Sequence, residues 1–256
     1  MSEFSVLIRK EFKEQMRTKK ILILAIIFLF VAIASPILAK LTPELLKNIT
    51  VTGMTINLPE PTYKDSIDQF IKNISQIGLL VLVFVVAGTV SDEKAKKTLE
   101  IVLTKPVSRA KFIAAKFASN FLSISVIFLA ASALFYTYTV TTFEAFSVIN
   151  FSLMAAIVLL YVLMITAVTI LASTLVRNSI VAGGIGFISF ILFGTVFSLV
   201  GSIKPYSPNL IFSNYKDVVA SGWSQDLAWP LAVIMFVIVT AVFVAVLFFR
   251  KQEIER

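Results

Sequence analysis

Residues 151–176 read FSLMAAIVLLYVLMITAVTILASTLV, twenty-six positions without one Asp, Glu, Lys or Arg. At a helical rise of roughly 1.5 Å per residue, such a run is long enough to cross a hydrocarbon layer about 30 Å thick. Only Arg177 and Asn178 separate it from a second charge-free run, Ser179–Ile203, so the spacing predicts a tight hairpin between two crossings. Working outward, four more runs have the same character: Ile21–Ala39, Ile74–Ser91, Phe117–Val140 and Leu227–Phe249. With 58% hydrophobic and 15% charged residues in 256 positions, the chain carries more apolar surface than a soluble core absorbs. The expected fold is all-α: a polytopic membrane protein with six transmembrane helices, forming one transmembrane domain over residues 1–256.

Orientation follows from Lys and Arg, which short cytoplasmic loops retain. The segments 1–20, 92–116, 177 and 250–256 hold seventeen of them, against six in the alternate segments. Both termini are therefore expected in the cytoplasm, in a multi-pass protein of the cytoplasmic membrane. The net charge of +8 is explained by topology and by attraction to lipid headgroups, so no nucleic-acid partner is implied. The first apolar run is too long for a cleaved secretory signal, and Ala34-Ser35-Pro36 makes a poor cleavage site, so Ile21–Ala39 reads as a retained helix.

Cysteine and histidine are both absent. Disulfides, thiolate zinc sites, catalytic thiols, Ser-His triads and histidine proton relays are thereby excluded. No catalytic, metal-binding or cofactor-binding residue is expected in this chain.

Before the first crossing, Phe4, Ile8, Phe12 and Met16 recur every fourth residue, with Arg9, Lys10, Lys13, Glu14 and Arg17 on other faces. That pattern predicts an amphipathic helix over 1–20 lying in the headgroup layer. The segment 40–73 is the one long polar excursion, broken by Pro43, Pro59 and Pro61. Within it Thr62 stands three residues before Asp65, a capping-box spacing, and Ile67, Phe70, Ile71 and Ile74 follow at helical intervals, predicting an outer helix that runs into the second crossing. Segment 204–226 is a second outer connection, with Trp223 and Trp229 suited to an interface. Hydroxyls and amides within the crossings, among them Ser35, Thr89, Asn120, Ser123, Tyr136, Ser189 and Thr195, read first as helix-packing groups, as do Gly183, Gly184, Gly186, Ala241 and Ala245.

The segment between the second and third crossings runs Ser91-Asp92-Glu93-Lys94-Ala95-Lys96-Lys97-Thr98-Leu99-Glu100-Ile101-Val102-Leu103-Thr104-Lys105-Pro106-Val107-Ser108-Arg109. Two acids open it, as a helix N-terminus favours, and Ala95, Leu99, Val102 and Leu103 form an apolar stripe. Pro106 stops the helix, and Ser108 stands as the N-cap of the next. The expectation is a short amphipathic helix parallel to the membrane, fused to the third crossing.

Here the sequence resembles the type-2 ATP-binding-cassette exporter permeases, whose inner loop reads E-x-x-x-G-T-L-E-x-L-L-x-x-P-[IV]-S-R. Glu93, Thr98, Leu99, Glu100, Leu103, Pro106, Val107, Ser108 and Arg109 match in order and spacing, Val102 replaces the first leucine, and Lys97 stands where that family often has glycine. Arg9-Lys10-Glu11-Phe12 with Arg17 near the membrane, and the terminal Phe249-Arg250-Lys251, are similar as well.

The resemblance implies a transport subunit, not an enzyme by itself, paired with a second permease copy or homologue. A cytoplasmic ATP-binding-cassette ATPase subunit would dock on a coupling segment at 92–109, through Asp92, Glu93, Thr98, Leu99, Glu100, Leu103, Pro106, Ser108 and Arg109. The interfacial helix, with Arg9, Glu11, Phe12 and Arg17, would lie beside it against membrane lipid. The chain has no G-x-x-x-x-G-K-[ST] phosphate loop, so ATP and Mg would be bound by the partner. Two rivals remain at this point: an ion-gradient-driven secondary transporter, disfavoured because none of the six charge-free runs carries an ionisable side chain, and a non-transporting scaffold or sensor subunit.

Overall fold

The structure, a computed structural model, describes residues 3–47, 60–98 and 108–251. Nine helices are formed among them: α1 Glu3–Arg17, α2 Lys20–Lys47, α3 Tyr63–Asn73, α4 Leu79–Ala95, α5 Arg109–Thr142, α6 Val148–Leu175, α7 Ser179–Leu199, α8 Ile211–Ser221 and α9 Ala228–Lys251. A π turn, Ile74–Gly78, joins α3 to α4 without a break. Six of these helical stretches are long and apolar enough to cross a membrane, the α3–α4 pair counting as one. The chain is an all-α polytopic membrane protein.

The stretch quoted at the outset becomes α6, the central helix, with α4, α5, α7, α8 and α9 packed around it. A helix apolar on every face has no side that prefers water, and here its flanks are filled by other helices. Tyr161, Val162, Met164, Ile165, Thr166 and Ala167 are all buried, with Leu163 between them half-buried. By contrast α7 and α9 lie at the periphery, with Phe236, Val239 and Phe243 on α9 exposed as side chains facing lipid would be. The hairpin between α6 and α7 is as short as the sequence required: Asn178 Oδ1 accepts from Ile180 N at 2.8 Å and caps α7.

Close packing of α7 on α4 and α6 uses glycine where the sequence pointed. A Cβ on Gly183 would lie 2.9 Å from Phe84, and one on Gly186 would lie 2.5 Å from Thr169 Oγ1, whereas Gly184 faces open space. Ala241 and Ala245 are buried on α9. Hydroxyls inside the crossings mostly bond their own helix, as with Ser35 to Val31 O, Thr89 to Val86 O, Ser189 to Ile185 O and Thr195 to Ile191 O. Such bonds satisfy a polar atom that lipid cannot.

The outer helix forms as the capping spacing predicts. Asp65 Oδ2 accepts from Thr62 N at 2.7 Å and from Thr62 Oγ1 at 3.0 Å, and Ile67, Phe70, Ile71 and Ile74 are buried. Phe70 stacks on Phe135 with ring centroids 4.2 Å apart, which ties α3 to α5. Two boundaries differ from the sequence expectation. α2 does not stop at Ala39 but continues to Lys47 with Pro36 and Pro43 inside it; a proline removes one backbone bond without ending a helix whose other bonds and packing persist. The connection 204–226 is not plain loop, since α8 forms there and buries Ile211, Tyr215, Val218 and Val219, packing on α6.

A third difference concerns the two acids at 92–93. They do not open a new helix: α4 continues through them to Ala95, because nothing after Ser91 breaks a helix until Lys96 and Lys97 turn the chain. Lys97 has φ +56°, the left-handed conformation that glycine adopts without cost. Glycine at that position is expected to raise the unfolding free energy by about 1 kcal/mol. Thermal unfolding of Lys97→Gly in detergent checks this, with Lys96→Gly, whose φ is −84°, bringing no such gain.

Candidate functional site

α1 lies across the basic end of the bundle, its Leu7, Glu11 and Gln15 turned inward and Phe4 and Met16 exposed. The ends of the apolar stripe thus face outward, while Ile8 and Phe12 are half-buried, Ile8 against the core, and the inward edge meets α5. Of the candidate residues on this helix, Arg9 and Arg17 are exposed and Phe12 is half-buried, but Glu11 is only 3% exposed.

Beneath α1 sits a five-membered charge cluster. Lys116, on α5 and 1% exposed, places its ammonium 3.0 Å from Glu11 Oε2 and 3.1 Å from Glu93 Oε1. Lys10 lies 2.9 Å from Glu11, 3.0 Å from Glu14 and 2.7 Å from Glu93. Both ammoniums stand near the Phe112 ring, Lys116 at 4.9 Å from its centroid and Lys10 at 5.6 Å, which adds a cation–π contribution. Around the cluster, Ser123 Oγ donates to Gln15 Oε1 at 2.8 Å and Asn120 Nδ2 to Lys116 O at 2.8 Å. Removing such charges from water is costly, so each needs its counterion held in place.

Glu11, Glu14 and Glu93 offer carboxylate oxygens within 4.8 Å of one another, a spacing a metal ion could use. The position between them is already taken by the Lys10 ammonium, within 3.0 Å of all three. The chain supplies its own cation there.

The cluster fixes its own pH response. Burial works to raise the Glu14 carboxyl, but Lys116, Lys10 and Lys20 outweigh it and hold that group below the usual carboxylate range. Burial works to lower Lys10, and Glu11 and Glu93 reverse the sign, holding its ammonium well above the usual lysine range. A depressed carboxylate contributes stability above its unfolded pKa of about 4.3 and loses it as pH falls through the folded value. A raised ammonium contributes below its unfolded value of about 10.4 and loses it only as pH rises through the folded one. The thermal midpoint in detergent is therefore expected to stay level from about pH 6 to 9 and to drop below about pH 4. Glu14→Gln should soften that acid limb.

The described parts of segment 92–109, residues 92–98 and 108–109, lie at the same end. Asp92 pairs with Lys20 of α2 at 3.0 Å, Glu93 joins the cluster, and Thr98 Oγ1 donates to Glu93 O at 3.3 Å. Ser108 occupies the N-cap position of α5 with extended backbone, its carbonyl accepting from Phe112 N at 3.0 Å, although its side chain makes no cap bond. Arg109 Nη1 donates to Arg250 O at 3.3 Å, and Phe112 stacks on Phe249, so the last turn of α9 abuts the first turn of α5. Lys111 reaches Glu3 at 2.6 Å. Both described ends of the chain therefore lie at one end of the bundle. Leu99, Glu100, Leu103 and Pro106 lie outside the described residues.

Two of the sequence candidates, Glu11 of the entry helix and Glu93 of the 92–109 segment, are thus brought together and buried. Sequence reasoning missed Lys116 and Lys10 as their partners. The signal for Lys116 was its place immediately before the charge-free run beginning at Phe117, where a lone cation must either reach water or find an acid.

A bundle with six helical stretches able to cross a membrane, its first helix tied by a charged clasp to the end of α4 and the start of α5, belongs to the class of multi-pass membrane proteins. Residues 5–252 match the family described as ABC-2 family transporter protein, and the chain belongs to that family. A curated relative is the uncharacterized transmembrane protein YxlG of Bacillus subtilis (strain 168), 24% identical over 259 residues that cover 99% of either chain.

Proposed function

We propose that this chain is the permease subunit of an ATP-binding-cassette exporter of the cytoplasmic membrane. Both termini and segment 92–109 face the cytoplasm, and the subunit works as a dimer with a second permease. A separate ATPase binds ATP and Mg and docks on segment 92–109. The observation that carries this reading is the clasp itself. Glu93 at the start of the segment pairs with Lys116 beyond its end and with Lys10 on α1, and Lys116 pairs with Glu11 on α1, so both flanks of the segment are anchored to one helix. A push on the segment then moves α1, α4 and α5 as a unit, instead of being lost in a slack loop.

Glu93 and Glu11 act as internal anchors in this mechanism, and docking falls to the rest of the segment. Affinity purification in mild detergent tests it: an ATPase is expected to co-purify with the wild type and to be lost with Glu100→Lys and Arg109→Glu, while membrane insertion persists. Hydrolysis or ATP-driven transport by the purified chain alone would overturn the proposal. Transport that stops on collapsing an ion gradient at constant ATP would favour a secondary transporter.

A further inference from the structure

A furrow of about 490 Å³ runs along the outside of the bundle between α2 and α4, ending beside the start of α7. Ile23, Val81, Phe84 and Val85 make apolar walls, and Lys20, Asp92 and Thr18 form a polar end. We propose that this furrow holds a phospholipid with an anionic headgroup, its acyl chain along the apolar walls and its phosphate at Lys20.

Three observations support that occupant. The change from apolar to charged along one continuous furrow matches a molecule with a hydrocarbon tail and a charged head, and its volume lies in the range of about 300–1,000 Å³ usual for ligand sites. Lys20 is about three-tenths exposed and lines that end, and of its three N–H donors the bond to Asp92, at 3.0 Å, uses one. Arg17 and Lys19, both exposed, precede Lys20 in the chain, and Glu14 is a second acid whose charge interacts with Lys20. Gly88 builds the floor: a Cβ there would lie 2.1 Å from Asp92 Oδ2 and 2.7 Å from Lys20 Nζ, so only glycine lets the ion pair lie flat against α4. A second copy of the chain fits less well, because helices that pack in lipid meet through small residues, whereas Phe84 and Ile23 stand half-exposed at a concave surface.

The headgroup's position in the cytoplasmic leaflet rests on the orientation proposed above; the site itself needs only that the bundle be embedded. The test uses the full chain in phosphatidylcholine vesicles containing a minor share of phosphatidylglycerol, extracted gently and read by native mass spectrometry. Phosphatidylglycerol is expected on the wild type at about fivefold over its share in the vesicle. That enrichment should vanish with Lys20→Ala and with Val81→Trp, which fills the furrow, and persist with Phe236→Trp on the far lipid face. Unchanged enrichment in Val81→Trp overturns the site, as does a disulfide-linked dimer formed through Leu80→Cys in this otherwise cysteine-free chain. These readings are independent of whether an ATPase co-purifies.

Discussion

Lys116→Ala is expected to unfold the basic end of the bundle, lowering stability by about 3–5 kcal/mol, the usual cost of removing one partner from a buried ion pair. The lost ammonium leaves Glu11 Oε2 without that partner and Glu93 Oε1 dependent on Lys10 alone, in a place that water scarcely enters. Deleted packing against Phe112 adds to the loss. Unfolding in detergent by heat or denaturant measures it, and the double variant Lys116→Met/Glu11→Gln separates charge from volume. If the charge argument holds, the double variant recovers a large part of what Lys116→Ala loses. If Lys116→Ala unfolds like the wild type, the clasp has no mechanical value and the proposed transmission fails with it.

Phe70→Ala should be comparably severe at the opposite end, by about 3–5 kcal/mol. Phe70 is fully buried, stacked on Phe135, which in turn stacks on Phe151 of the central helix. Truncation opens a cavity that α3 cannot fill without leaving α5, because the helix is held at its start by the Thr62–Asp65 box and at its end by the continuous run into α4. Tyr63, stacked on Phe146 at 4.9 Å near the same surface but half-exposed, provides the comparison: Tyr63→Ala should cost well under half as much. The same unfolding measurement reads both.

The two variants also divide what could be read in the chain from what could not. Phe70 was legible as a core position, since Ile67, Phe70, Ile71 and Ile74 share one face of a helix whose start is marked by its own cap. The clasp was not. Glu11 and Lys116 are 105 positions apart and Lys10 and Glu93 are 83 apart, and in sequence each reads as an ordinary charge of a basic membrane flank. The acids at 92–93 looked like a helix start because acids favour that place, yet α4 runs through them, since counterions on α1, α2 and α5 were available to hold them at a helix end. Lys97 was noticed as standing where the related motif has glycine, and only its backbone, at φ +56°, explains the preference.

Apolar run length and the placement of basic residues were enough to establish six candidate crossings and the shared end of the two described chain ends, because each depends on one stretch of chain meeting one solvent. Which of the charges at the basic end would be buried together, and that Lys10 would stand where a metal ion could, was settled by how α1, α4 and α5 pack. An ion pair across that distance depends on the positions of three helices at once, and no periodicity within any one of them encodes it.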